Sequence, residues 1–223
     1  MQYAAERQAL VEAARRMNAL GINQGTSGNL SLRAGDGLLL TPSGLPYEAM
    51  AAEDVVYMDF DGQWSCPTPG RRPTTEWRFH RDILAAKPDA GAVVHTHAMF
   101  CTTLACLERG IPAFHYMIAV AGGTDIRCAR YATFGTKALS DFALTALEGR
   151  KACLLANHGM LALGETLDKA LALAVEVETL AAQYWRALQI GQPTLLDDAE
   201  MARVLEKFKT YGKPDAGREE ETP

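Results

Sequence analysis

Hydrophobic and polar positions alternate along this chain at two periods, and the switches between them mark out the elements. From Tyr3 to Leu20, apolar residues recur every three to four positions, which predicts an amphipathic helix. "GINQGTSG" breaks that pattern with glycines, and "NLSLRA" then alternates at period two, as a strand with one buried face does. "GDG" reads as a hairpin turn leading to an apolar strand that runs into the loop "TPSG", and "DVVYMDFDGQW" reads as strand, Asp61-Gly62 turn and strand. After the Pro/Gly loop "CPTPGRRPTT", "TEWRFHRDILAAKP" is helical in period and stops at Pro88. "GAVVHTH" predicts a buried strand and "AMFCTTLACLERG" a helix closed by Gly110. "AFHYMIA" and "DIRCARYA" are expected as short strands, "TKALSDFALTALEGR" as a helix, and "KACLLANHG" as an apolar strand ending in a turn. A long helix from Thr166 to Ile190 carries apolar residues on more than one face, which suggests burial against another subunit, and "DDAEMARVLEKFKTY" forms a last helix.

Strands alternate with helices, yet several strands adjoin through hairpins. The expected fold class is therefore α/β, a mixed sheet with helices on its faces. No repeat or linker divides the 223 residues, so residues 1–212 are expected as a single domain and residues 213–223, "KPDAGREEETP", as a disordered tail.

Composition narrows the partners. With 48% hydrophobic and 22% charged residues the chain is an ordinary globular one, and its net charge of -5 offers no clustered basic surface for nucleic acid. The charged first helix is no signal peptide, and no apolar run reaches the length of a membrane span, so a cytoplasmic protein is expected. Five cysteines without a CxxC pair imply neither a disulfide framework nor a cysteine metal site, and are expected to be mostly buried thiols.

The candidate chemistry lies in a few polar residues at the ends of apolar runs. His95 and His97, two apart on a strand, project to one side. A third histidine, His158, ends a second apolar strand in "LLANHGM", and three histidines give the ligand count of a metal site that keeps a position open for substrate. Glu76, in the first turn of a helix, is the candidate base, although it and Thr74 or Thr75 would equally suit a helix N-terminus that needs only charge and capping. That terminus, together with "GTSGN" and "TPSG", offers backbone amides and hydroxyls suited to an anion. His80, between Arg78 and Arg81, is expected at the surface or in packing, and His115 is open to either reading.

"NQGTSGNLS", "LLLTPSGLPYE", "TTEWRFH", "AVVHTHA", "IPAFHYMIAVAGG", "YATFGT", "NHGM" and "VLEKFKTYG", in this order and spacing, resemble the class II aldolase/adducin family, most closely its L-fuculose-1-phosphate aldolase branch. The resemblance implies a three-layer α/β/α fold with a mainly antiparallel central sheet. It also implies a homotetramer with active sites between subunits, and one Zn2+ per subunit. It implies zinc ligation by His95, His97 and His158, with Glu76 as acid/base that can also ligate the metal. Gly28, Asn29, Ser43, Gly44, Thr74 and Thr75 fall where the family holds the substrate phosphate, and Tyr116, Phe134 and Tyr211 where it handles the aldehyde half. The implied reaction is reversible cleavage of a ketose 1-phosphate of the L-fuculose 1-phosphate type to dihydroxyacetone phosphate and a small aldehyde such as L-lactaldehyde, through a zinc-bound enediolate. Other readings within the family are cleavage of 5-deoxyribulose or 5-methylthioribulose 1-phosphate, 4-epimerisation of a pentulose 5-phosphate, and a non-catalytic adducin-like module. Thr74-Thr75 stand where serines are usual, Ser43 where threonine is usual and Thr96 where asparagine is usual.

Overall fold

The computed structural model describes residues 1–210. One eight-stranded sheet runs through it, in the order β4-β3-β2-β1-β5-β8-β7-β6. The strands are β1 (Asn29–Ala34), β2 (Gly37–Leu40), β3 (Val56–Asp59), β4 (Trp64–Ser65), β5 (Ala92–Thr96), β6 (Arg127–Ala129), β7 (Ala152–Leu155) and β8 (Gly159–Gly164). Every pairing is antiparallel except β6 with β7. The helices are α1 (Ala4–Ala19), α2 (Trp77–Ala86), α3 (Met99–Ala105), α4 (Lys137–Ala146), α5 (Leu167–Ile190) and α6 (Asp198–Phe208).

Strand alternation divides the core between two layers. Leu30, Leu39, Ala92, Val94, Leu154, Met160 and Ala162 face α1, α3 and α5, whereas Leu38, Leu40, Met58, Val93, Cys153, Leu155 and Leu161 face α2 and α4. The result is the expected three-layer α/β/α arrangement. The sheet is buried on both sides, so its central strands read as continuous apolar runs rather than strict alternation.

Several expected elements differ. "GMLALG" is a strand, β8, hidden in the sequence because it follows β7 after a turn of three residues and has no polar member to mark it. "AFHYMIA" is not a strand: residues Tyr116–Ala121 wind into a 3-10 helix, begun by the Met117 N–H donating to His115 Nδ1 (3.2 Å) and ended by Gly122 at φ 91°. The helix after His97 ends at Ala105, before Gly110; Glu108 takes the left-handed conformation, with φ 51°. The apolar breadth of α5 is met within the chain, because Leu171, Ala174, Val177, Leu180 and Ala181 are buried against α1, α3 and the sheet. Of the cysteines, Cys101 and Cys153 are buried, Cys66 and Cys128 partly so, and Cys106 is exposed, because it lies on the outer turn closing α3. Among the described residues no helix is long and apolar enough to cross a membrane.

Candidate metal centre

Three segments meet at one end of the central strands. The first is β5, whose last residues carry His95 to Thr96 and then His97 just beyond the strand. The second is the β7–β8 turn. Leu155 pairs with Gly159 across it, Asn157 adopts φ 53°, and His158 sits at the tip. Asparagine is one of the few residues that tolerate this left-handed geometry, so "NHG" is a turn that presents its histidine. The third is the residue before α2, Glu76, whose backbone N–H donates to Thr74 Oγ1 (3.3 Å).

The distances within the cluster are those of a ligand set. His95 Nε2 and His97 Nε2 lie 3.1 Å apart, Glu76 Oε2 is 3.3 Å from His95 Nε2, and Glu76 Oε1 is 3.1 Å from His158 Nε2. Donor atoms about 2.05 Å from a tetrahedral ion stand about 3.3 Å from each other, so these edges suit a divalent cation. His95 Nδ1 lies 3.0 Å from the carbonyl of Met160, to which its N–H donates, leaving the Nε2 lone pair directed at the cluster. The three rings stand nearly perpendicular to one another with centroids 4.8 to 5.0 Å apart. Among the described residues, buried Glu76 Oε1 faces only His158 Nε2 (3.1 Å) and lacks a partner in good hydrogen-bond geometry, an expensive arrangement unless a cation or a substrate proton completes it. His95, His97 and His158 thus form a three-histidine site fit for a metal.

The electrostatics agree. Burial alone would push the Glu76 carboxyl up, but His95 and His158 beside it outweigh that and hold it well below the usual carboxylate range. Burial, with His95 and His158 adjacent, lowers His97 to about 4, so its ring is neutral and able to ligate near pH 7.

The phosphate-type loops are tied to this cluster through the backbone. Pro42 bridges to Pro73, Ser43 N–H donates to Arg72 O (3.0 Å), and Thr74 N–H donates to Thr41 O (3.0 Å), which sets Ser43 and Gly44 beside Thr74 and Thr75. Gly28 N–H donates to Asn23 Oδ1 (2.9 Å), and the Tyr47 hydroxyl donates to the Gly28 carbonyl. A Cβ on Gly28 would meet Asn23 Oδ1 and the His95 carbonyl at 2.5 Å, so only glycine fits this closely against β5. Phe134, 62% exposed, lies in the loop whose Gly135 backs onto the Thr75 carbonyl. Tyr116, 52% exposed, stacks on His115 and on Phe208 of α6 rather than on the histidine cluster. Tyr211 lies outside the described residues.

Two features escaped sequence reasoning. His80, expected at the surface or in packing, is completely buried, with Nδ1 2.8 Å from Ser31 Oγ and Nε2 2.6 Å from Asn29 Oδ1. The side chain of Asn29, a residue expected at the phosphate, donates from Nδ2 to Glu76 Oε2 (2.8 Å). The signal was present as a pair of matched spacings: Glu76 and His80 are four apart across a helix start, and Asn29 and Ser31 two apart on a strand.

The class II aldolase and adducin N-terminal domain model matches residues 8–185, and the chain belongs to that family. It is 64% identical over 206 residues to a 5-methylthioribulose-1-phosphate/5-deoxyribulose-1-phosphate aldolase of Rhodospirillum rubrum, covering 92% of each chain. It is 50% identical over 204 residues to an L-fuculose phosphate aldolase of Escherichia coli, covering 91% of this chain and 94% of that one. A solved L-fuculose 1-phosphate aldolase superposes with a TM-score of 0.90 at 40% identity, over 94% of this chain and 98% of the other.

Proposed function

We propose that this chain is a zinc-dependent lyase that reversibly cleaves a 5-deoxyribulose or 5-methylthioribulose 1-phosphate to dihydroxyacetone phosphate and a small aldehyde. The observation that carries the chemistry is the convergence of three imidazole nitrogens and the uncapped Glu76 Oε1 at the sheet end, next to the linked loops of Ser43-Gly44 and Thr74-Thr75. The preference among ketoses is supported by the 64% identity to the Rhodospirillum rubrum enzyme. The second reading, cleavage of L-fuculose 1-phosphate to L-lactaldehyde, is supported by the 50% identity to the Escherichia coli enzyme and by the superposition.

His95, His97 and His158 would hold Zn2+, which would supply Lewis acidity for a carbonyl substrate. Glu76 moves the proton at the carbon that gains charge when the C–C bond breaks, and its Oε1 is the oxygen that Asn29 leaves uncommitted. Gly28, Ser43, Gly44, Thr74 and Thr75 hold the phosphate with amides and hydroxyls, fixing the half of the substrate common to all these ketoses. Asn29 borders this site, with its carboxamide committed to Glu76 and His80.

The aldehyde half falls to Phe134, Tyr116 and Tyr211. A homotetramer in which tyrosines complete a neighbour's site is supported by the outward-facing Tyr116 ring. Light scattering that found only fully active monomer would remove that part of the proposal. The substrate is tested by comparing kcat/KM on fuculose, rhamnulose, 5-deoxyribulose and 5-methylthioribulose 1-phosphates while assaying free dihydroxyacetone phosphate. A pentulose-phosphate epimerase would release none, and inactivity on the whole panel would refute the aldolase reading.

A further inference from the structure

Four buried side chains form a chain of hydrogen bonds that ends on the candidate base. Ser31 and His80 are fully buried, Asn29 is 6% exposed and Glu76 5%. Ser31 Oγ lies 2.8 Å from His80 Nδ1, His80 Nε2 lies 2.6 Å from Asn29 Oδ1, and Asn29 Nδ2 lies 2.8 Å from Glu76 Oε2. Secondary structure builds it without strain. Asn29 and Ser31 point from one face of β1 toward α2, and Glu76, at the N-cap just before α2, and His80, within it, point toward β1. The β1–β5 register sets Asn29 directly opposite His95, which fixes the far end of the chain against the metal ligands.

The chemistry allows this chain one polarity. An ionised carboxylate only accepts, so the Asn29 atom against Glu76 is the donor Nδ2. Asn29 must then offer Oδ1 to His80, so Nε2 carries the imidazole proton, Nδ1 keeps its lone pair, and the Ser31 hydroxyl donates to it. The opposite tautomer would let the carboxamide turn over and set an amide oxygen against the carboxylate.

We propose that His80 is a positioning residue for the reaction, acting through Asn29. Its Nε2–H locks the Asn29 carboxamide, the carboxamide pins Glu76 Oε2, and the carboxylate is thereby held with Oε1 facing His158 and the substrate. Without His80 the Asn29 amide is free to flip, and the Glu76 carboxylate to rotate about its last bond. The inference rests on the aldolase reading for its catalytic consequence, but the direction of the hydrogen-bond chain does not.

The experiment compares His80→Phe, which fills the space without hydrogen bonds, with His80→Gln, whose amide can donate to Asn29 and accept from Ser31. In the metal-loaded full chain, His80→Phe should lower kcat about ten- to hundredfold, with KM moving less than about threefold and metal content unchanged. His80→Gln should recover most of that loss. Independently of turnover, NMR of 15N-histidine-labelled protein should show the His80 signals, assigned by their loss in His80→Gln, as the Nε2–H tautomer.

An Nδ1–H tautomer overturns the proposal. So does a His80→Phe enzyme with parental kcat, or equal losses in Phe and Gln variants that both melt low. If His80→Phe fails to fold, the His80→Gln kinetics and the tautomer still decide. If no ketose phosphate is cleaved, the aldolase reading fails while the tautomer still reports on the hydrogen-bond chain.

Discussion

Glu178, in the middle of α5, accepts the backbone N–H groups of Phe100 (2.8 Å) and Cys101 (2.9 Å) at the start of α3. That helix begins two residues after His97, and its N-cap position is Ala98, which has no side-chain oxygen to satisfy those donors. A carboxylate from another helix therefore does the capping and ties the histidine-bearing segment to the largest helix of the fold. Each hydrogen bond to a charged acceptor contributes about 1.5–3 kcal/mol. Both bonds are part-buried and water can replace some of what is lost, so Glu178→Ala should cost about 2–4 kcal/mol in all. In a chain of this size, that lowers Tm by about 5–15 °C. Glu178→Gln keeps one oxygen but turns an NH2 toward the second N–H, so it should recover less than half. The assay is thermal unfolding at fixed protein concentration with chelator present, because a bound metal would add its own stabilisation. A Glu178→Ala variant melting within about 1 °C of the parent would refute the reasoning.

Three further outcomes follow from the same geometry. Glu76→Gln should retain bound metal by elemental analysis while kcat falls about 10²–10⁴-fold, the usual contribution of a proton-transferring side chain; full activity would remove Glu76 from that role. Gly159→Ala sets a methyl against the Thr96 carbonyl and 3.0 Å from the His97 ring, at the seam between the two histidine-bearing segments. It should cost about 1–3 kcal/mol and weaken metal binding in a titration, and unchanged metal affinity would show that the seam tolerates movement. Burial, with His95 nearby, lowers His80 to about 3. The unfolded chain binds that proton near pH 6.5, so the unfolded state carries the extra proton between about 6.5 and 3 and stability falls as pH drops through that window. The slope is up to about 1.4 kcal/mol per pH unit, and His80→Gln should flatten it in denaturant titrations of chelated protein; equal slopes would show that other groups set the acid limb.

What could be read along the chain was whatever is local. The periods of α1, α2, α4 and α5 and the alternation of β1 follow from side-chain direction within a single element, and all were visible. So was the spacing of His95 and His97, because two residues on a strand share a face whatever surrounds them. Strand β8 was not, since a strand buried on both sides loses its alternation. The 3-10 helix at Tyr116–Ala121 was not either, because its apolar run suits a strand equally well until tertiary contacts choose.

The sequence by itself determined the candidate ligands and loops in kind: three histidines, a glutamate at a helix start, and glycine-hydroxyl segments suited to an anion. Only the tertiary structure decided that His158 meets His95 and His97, because that depends on β8 lying between β5 and β7. It also decided that His80 and Asn29 are hydrogen-bonded in line with Glu76. Hydrogen bonds between a helix and a strand 47 and 51 residues apart in sequence exist only once register and packing set their faces together.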